Sequence, residues 1–134
     1  MKTQAIKHEK HSTRPCSTRS EKECTAHLSA IEDSLYVIGG KWKLKIIIAL
    51  RTKGNMRFNE LQRTVEGISA RVLSNELKDL ELNGFIKRNI YTQAPVVTEY
   101  ELTGYSDTLS EVLETLVNWG TKHRAKIRRE LTVK

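Results

Sequence analysis

The sequence lacks a long hydrophobic run. Its longest, residues 46–50, is far shorter than the roughly 20 apolar residues that cross a bilayer. The N-terminal residues are polar and basic, and they contain no apolar segment of the kind found in a secretory signal. We therefore predict a protein without a membrane span, located in the cytoplasm.

Cysteine is scarce, since the chain contains only Cys16 and Cys24. In a cytoplasmic protein such residues are expected to be reduced thiols rather than a structural disulfide. His8, His11 and His27 lie nearby, but the spacings match no standard zinc pattern. We therefore expect no bound metal.

The side-chain sets that define common enzymes are also missing. The sequence shows no carboxylate pair in a plausible pocket and no nucleophile with a neighbouring base. Gly39 and Gly40 precede Lys41, but the strand and the second glycine of a phosphate-binding loop are absent. We expect neither catalysis nor a cofactor.

Acidic residues are the minority charge, which leaves a formal net charge of +7. More than half of this excess lies in residues 1–22, which have few apolar side chains and no periodicity. We interpret residues 1–22 as a disordered basic arm and residues 23–134 as one ordered domain. A basic balance favours an anionic partner without identifying it.

Apolar periodicity predicts a first amphipathic helix over about residues 24–38, which Gly39 and Gly40 end. A second helix over residues 41–53 is apolar enough to be mostly buried, with Trp42 anchoring it in the core. The first helix carries its apolar pattern at spacings of three and four: Leu28, Ile31, Leu35 and Ile38.

Two short helices separated by a turn follow. After a short strand over residues 56–58, Asn59 is placed to cap a helix that Gly67 closes. Ser69 then caps a second helix, over about residues 69–82, whose apolar stripe is expected to face the core. That stripe consists of Leu73, Leu77 and Leu80.

The opposite face of this second helix is polar. Arg71, Ser74, Asn75 and Lys78 lie there and supply two cations, a hydroxyl and an amide. Such a set can bond phosphates and the edges of bases, although an ordinary solvated helix face would have a similar composition. The segments on either side of this helix decide between a face that binds nucleic acid and an ordinary solvated face.

A predicted β-hairpin comes next. Residues 85–92 and 96–102 are rich in β-branched and aromatic side chains, and they are joined by Gln93, Ala94 and Pro95. The order helix, turn, helix, hairpin predicts a mainly α fold with a small β wing, an α+β winged helix-turn-helix.

The C-terminal segment is predicted to be one long helix over about residues 104–130. Its apolar stripe repeats every three or four residues and exceeds what a small domain covers by itself, so we predict dimerisation through it. The alternative is packing against the first helix of the same chain. The predicted dimer residues on this helix are Leu109, Leu113, Leu116, Gly120, His123 and Ile127.

The sequence resembles the HxlR-type winged helix-turn-helix transcription regulators, relatives of the MarR group. The matching segments are VIGGKWKLKII (37–47), RFNEL (57–61), GISARVLSNELKDLELNGFIKR (67–88), VTEYELT (97–103) and NWG (118–120). The resemblance implies a homodimer that binds a pseudo-palindromic operator in double-stranded DNA. It is held by its first and last helices, which adds Leu28 and Ile31 of the first helix to the predicted dimer residues. The resemblance places the recognition helix in the major groove and the wing on the neighbouring minor groove.

The resemblance also assigns residues to the DNA. Those expected at the major groove are Ser69, Arg71, Ser74, Asn75 and Lys78. Those expected at phosphates or in the wing are Lys41, Arg57, Asn59, Arg88, Thr92 and Gln93. The alternative function is a winged helix that binds proteins and does not read DNA.

Two further expectations concern effectors. Many HxlR-type proteins carry a cysteine, often followed by proline, shortly before the segment that matches residues 37–42, and in some of them it senses oxidants or electrophiles. Here Cys24 is followed by Thr25, so Cys24 is either a redox sensor or an inert cysteine at a helix start. Tyr36, Trp42 and Trp119 are candidate walls of a small-molecule cavity or plain core residues.

Overall fold

The computed structural model describes residues 20–133, in two units that meet at Gly40 and Lys41. Almost all of the predicted basic arm lies outside the described residues, as do Cys16, His8 and His11.

The first unit contains helix α1, Glu21–Ile38. The Ser20 hydroxyl caps it by accepting a hydrogen bond from the Glu23 amide at 3.1 Å. The Gly39 amide ends it by donating to the Leu35 carbonyl at 2.8 Å. A Cβ at Gly39 would collide with that carbonyl oxygen, so a glycine is required there. The predicted first helix is confirmed, with a start slightly earlier than expected.

The second unit begins with helix α2, Lys43–Lys53, which buries Ile46, Ile47 and Leu50 as predicted. The prediction that Trp42 anchors this helix in the core is wrong. Trp42 precedes the helix and is only partly buried, because the ammonium groups of Lys41 and Lys45 lie over its ring at 4.8 and 5.1 Å from the centroid. The indole therefore lies beside two exposed lysines, whose cations are attracted to its π face, and not within the apolar core.

A helix-turn-helix follows strand β1, Met56–Arg57. Helix α3 spans Phe58–Thr64 and helix α4 spans Ala70–Leu82. The prediction that Asn59 caps α3 is wrong, because the helix begins at Phe58, two residues before the start that such a cap implies, and its first turn contains Asn59. The Arg57 amide at the helix start is satisfied instead by the Glu60 carboxylate, which accepts its hydrogen bond at 2.8 Å. Gly67, predicted to close α3, lies beyond its end in the turn, with a φ of 86° that favours glycine.

The wing is an antiparallel hairpin of strand β2, Ile86–Tyr91, and strand β3, Val97–Leu102. Strand β1 pairs with the other edge of β3, which gives a three-stranded sheet in the order β1-β3-β2. In this register Arg57 lies opposite Glu99, and Asn89 lies opposite Glu99 on the other side. The sheet therefore joins the start of α3 to the wing.

The C-terminal segment begins with a 3₁₀ helix, Gly104–Leu109, and continues as helix α5, Ser110–Val133. The Ser106 hydroxyl is buried and donates to the Thr103 carbonyl at 2.6 Å, which fixes the tight first turn. The predicted long helix is therefore confirmed from Ser110, and its first residues form the tighter 3₁₀ helix.

The core lies between α2, α3, α4 and the sheet. Its most deeply buried apolar side chains are Ile46, Ile47, Leu61, Leu73, Leu77, Leu80 and Ile86. Among residues 20–133, no helix has the length and apolar character that a bilayer crossing requires.

Candidate nucleic-acid interface

Helix α4 is held in place by its first residue and by its leucines. The Ser69 hydroxyl caps the helix by accepting a hydrogen bond from the Val72 amide at 3.2 Å. Leu73, Leu77 and Leu80 are almost fully buried, as the sequence predicted. Because these leucines fix the rotation of the helix, the opposite face is directed to solvent.

The predicted polar face is on the outside of the molecule. Arg71, Asn75 and Lys78 are exposed, and Ser74 is half-buried at the edge of the face. The structure therefore brings four of the predicted recognition residues together on one surface. Ser69 lies at the start of the same helix, where its hydroxyl is already engaged in the cap.

The structure adds an acidic neighbour to this surface. Asp79 lies one turn beyond Asn75, and 55% of its side chain is exposed. The four residues predicted for the polar face lie opposite the leucines, and Asp79 is not among them. The i, i+4 spacing of Asn75 and Asp79 was the signal that would have revealed the carboxylate.

Lys43, at the start of α2, bridges the carboxylates of α4. Its Nζ lies 2.6 Å from Glu76 Oε1 and 3.6 Å from Asp79 Oδ2. The hydrogen bond to Glu76 raises the pKa of Lys43 against the opposing effect of burial, so the ammonium group stays charged. Nothing local in the sequence indicates this bridge, because the lysine and the carboxylates belong to different helices.

Arg88 lies at the base of the wing and not at its tip. Its Nε is 3.6 Å from Glu81 Oε1 in the last turn of α4, and in the sheet it is paired with Tyr100. Thr92 and Gln93 follow β2 at the tip of the wing and are exposed. The predicted wing residues are thus divided between the base of the hairpin and its tip.

Arg57 connects the helix-turn-helix to the wing. With Asn59 and Arg63 it lines a cleft of about 470 Å³, and with Gln93 it lines a second cleft of about 400 Å³. Glu99 lines both clefts, and its negative charge raises the pKa of the Tyr91 hydroxyl, 3.4 Å away. Two predicted phosphate contacts and one predicted wing contact therefore border one continuous region.

Lys41 lies outside this region of the surface. Its ammonium group sits over the Trp42 ring on the N-terminal side of α2. The lysine is exposed, so its charge remains available to an anion.

The terminal helices carry the predicted dimer residues. On α1, Leu28 and Ile31 are exposed, and on α5, Leu116 and Ile127 are 47% and 40% exposed. His123 stacks on Trp119 of the same helix with ring centroids 4.9 Å apart. Leu109 differs, because it is buried in the core of its own chain and contributes nothing to the exposed stripe.

The expectation of a reduced Cys24 is wrong, since Cys24 is disulfide-bonded. That expectation rested on the redox compartment alone. It left out the distance between thiols, which also decides whether a disulfide forms. The other cysteine of the chain, Cys16, is not among the described residues. Over residues 20–133, no group of acidic, histidine and cysteine side chains could hold a metal ion.

The aromatic residues suggested for an effector cavity are not core residues. Tyr36 is 86% exposed and Trp119 is 65% exposed. Trp42 is partly covered by two lysines, as described above.

A capped, leucine-anchored helix preceded by a short helix and followed by a β-hairpin defines a protein of the winged helix-turn-helix class. A family model for the HxlR-like helix-turn-helix matches residues 37–128. The chain belongs to the HxlR-like helix-turn-helix family. Its members are regulators of transcription and not enzymes.

Individual relatives agree with this assignment. The uncharacterised HTH-type transcriptional regulator BH0655 of Halalkalibacterium halodurans is 44% identical over 68% of this chain and 80% of its own length. A crystal structure of the HTH-type regulator ytcD is 42% identical, with a TM-score of 0.66 over 69% of this chain and 94% of that one. The oxidised form of the redox regulator HypR is 36% identical, with a TM-score of 0.63 over 69% of this chain and 95% of that one.

Proposed function

We propose that this protein binds double-stranded DNA sequence-specifically, as a homodimer on a pseudo-palindromic operator. Helix α4 enters the major groove, and the hairpin β2-β3 lies on the adjacent minor groove. The observation that carries this proposal is the surface of α4, where buried leucines leave Arg71, Asn75 and Lys78 exposed together.

The chemistry of these side chains suits base recognition. A guanidinium group can donate two hydrogen bonds to guanine, and a carboxamide can both donate to and accept from adenine. We assign these roles to Arg71 and Asn75, and a phosphate to the flexible ammonium of Lys78. Phosphate contacts elsewhere fall to Lys41, Arg57 and Asn59, with Thr92 and Gln93 at the wing tip.

The homodimer is proposed on the evidence of α5. This helix of 24 residues is about 36 Å long and exposes Leu116, Val117 and Ile127 to solvent. A second copy of α5 would cover these side chains, and Gly120 near its middle would let the two backbones approach closely. On α1, Leu28 and Ile31 offer further apolar surface to the dimer.

The charges of α5 favour an antiparallel pair. Glu111 and Glu114 lie in its first half, whereas the second half is predominantly basic. An antiparallel arrangement brings each acidic half beside the basic half of the second copy, which a parallel arrangement would not. The basic residues are Lys122, Arg124, Lys126, Arg128 and Arg129.

Redox control through Cys24 is a finer part of the proposal. It is supported by the disulfide at Cys24 and by the similarity to the redox regulator HypR. In this proposal, reduction of the disulfide frees a thiol in the first turn of α1 and changes the affinity of the dimer for DNA. An inert cysteine at the helix start is the alternative.

The test is selection of binding sequences from a random double-stranded DNA library, followed by titration of the selected DNA at several salt concentrations. We expect a sequence with two related half-sites, centred about 10 base pairs or a multiple apart. Affinity should fall steeply with salt, because phosphate contacts release counterions. A protein that enriches no sequence and shows no salt-dependent binding would instead be an interaction module.

A further inference from the structure

Helix α4 carries three acidic residues and only two cations. Its cations are Arg71 and Lys78, and its acids are Glu76, Asp79 and Glu81. DNA phosphates repel carboxylates and attract cations, so uncompensated acids on this helix oppose binding. Of the three acids, Asp79 opposes DNA binding most strongly, because it lies beside Asn75 on the exposed surface.

Lys43, at the start of helix α2, contacts two of these carboxylates. The 2.6 Å contact to Glu76 is a charged hydrogen bond, and the 3.6 Å contact extends the same ammonium group to Asp79. The lysine side chain is only 14% exposed and that of Glu76 only 22%. An ion pair with so little solvent around it holds its geometry better than an exposed pair does.

The position of Lys43 offers no advantage to its own helix. It is the first residue of α2, where the positive end of the helix dipole disfavours a cation. Lys41 and Lys45 add further positive charge nearby. The favourable contacts of this lysine are therefore those it makes with α4.

We infer that Lys43 is a positioning residue for DNA recognition: it neutralises Glu76 and Asp79 and holds α4 in its docked orientation without touching DNA. This inference rests on the proposed function. Removal of Lys43 leaves two carboxylates uncompensated beside the recognition surface, and one of them is largely shielded from water. The cost to binding then depends on those carboxylates and disappears when they are neutralised.

The test is a double-mutant cycle on the full chain with library-selected DNA, measured by fluorescence anisotropy at low salt. Lys43→Met is combined with Glu76→Gln/Asp79→Asn, which removes both charges with little change in shape. We expect Lys43→Met alone to weaken binding by about tenfold or more, because added repulsion at a binding surface is costly. In the Glu76→Gln/Asp79→Asn background, the same substitution should change affinity by less than about threefold.

Several results would overturn the inference. If Lys43→Met weakens binding equally in both backgrounds, the lysine contacts DNA or acts only through folding. If it has no effect in the wild-type background, the carboxylates do not oppose binding. Should Lys43→Met alone fail to fold, rescue of both folding and wild-type affinity by Glu76→Gln/Asp79→Asn supports the inference, because the lysine is then needed only while the carboxylates are charged. A loss of affinity on adding Lys43→Met to the Glu76→Gln/Asp79→Asn variant rejects it.

Two control variants sharpen the result. Lys45→Met removes the same charge from α2 at a lysine that lies over Trp42, so it should weaken binding far less than Lys43→Met. Lys43→Arg keeps the charge and should retain most of the affinity. Failure of the proposed function is separately visible, because the wild-type chain would then select no DNA at all.

Discussion

Nε of Arg88 at the base of the wing lies 3.6 Å from Oε1 of Glu81 in the last turn of α4. The two side chains are 48% and 38% exposed, so their attraction contributes at most about 1 kcal/mol to stability. The pair matters for DNA binding, because the Glu81 carboxylate partly neutralises the Arg88 cation, which would otherwise be available to DNA.

We therefore expect Glu81→Gln to raise the affinity for the selected DNA severalfold at low salt. The substitution removes a negative charge near the DNA and frees Arg88. Anisotropy titration measures the change, and Arg88→Met/Glu81→Gln should not show the gain. If Glu81→Gln instead lowers the affinity for DNA while its thermal stability is unchanged, Glu81 itself supports binding.

Arg71→Ala should lower the affinity for the selected DNA by about 1–3 kcal/mol and relax the preference at one base position in each half-site. The reason is the loss of a two-pronged hydrogen bond to guanine from an exposed side chain. Arg51→Ala is the matched control, because it removes the same charge from the last turn of α2. If the two variants bind equally well, Arg71 is not a reading residue.

Lys41→Ala should weaken binding to selected and unrelated DNA by the same factor. A phosphate contact carries no sequence information, and its loss should reduce the slope of log affinity against log salt by about 1. Titrations of both DNAs at several salt concentrations measure this. A loss confined to the selected sequence would place Lys41 at a base.

Leu116→Glu should dissociate the dimer. The side chain is 47% exposed in the single chain, so the core tolerates the change, whereas a dimer would bury the new carboxylate at a cost of at least about 1–3 kcal/mol. Sedimentation equilibrium measures the dissociation constant. Thr121→Glu, an exposed position on the same helix outside the apolar stripe, should leave the dimer intact.

Cys24→Ser should abolish any response of DNA binding to reductant. If reduction of the disulfide controls affinity, the wild-type chain changes its affinity when dithiothreitol is added, and the variant does not. The comparison requires only anisotropy with and without reductant. A wild-type chain that is indifferent to reductant would identify Cys24 as inert.

Much of the winged helix-turn-helix follows from the sequence. The Ser69 cap, the leucine stripe of α4 and the two wing strands all lie where periodicity and turn residues predicted them. These features are local, since each depends on residues within one or two turns. The errors at the start of α3 and at Trp42 arose where neighbouring side chains compete, and Glu60 or two lysines decided the outcome.

The tertiary structure decided which charged side chains pair with one another. By itself the sequence determined that α4 has an apolar face and a polar face, because a helical period fixes which residues share a side. Only the packing of α2 against α4 showed that Lys43 meets Glu76 and Asp79, and only the packing of α4 beside strand β2 brought Arg88 to Glu81. The physical reason is that a helical period relates residues within one element, whereas ion pairs between elements depend on how those elements pack.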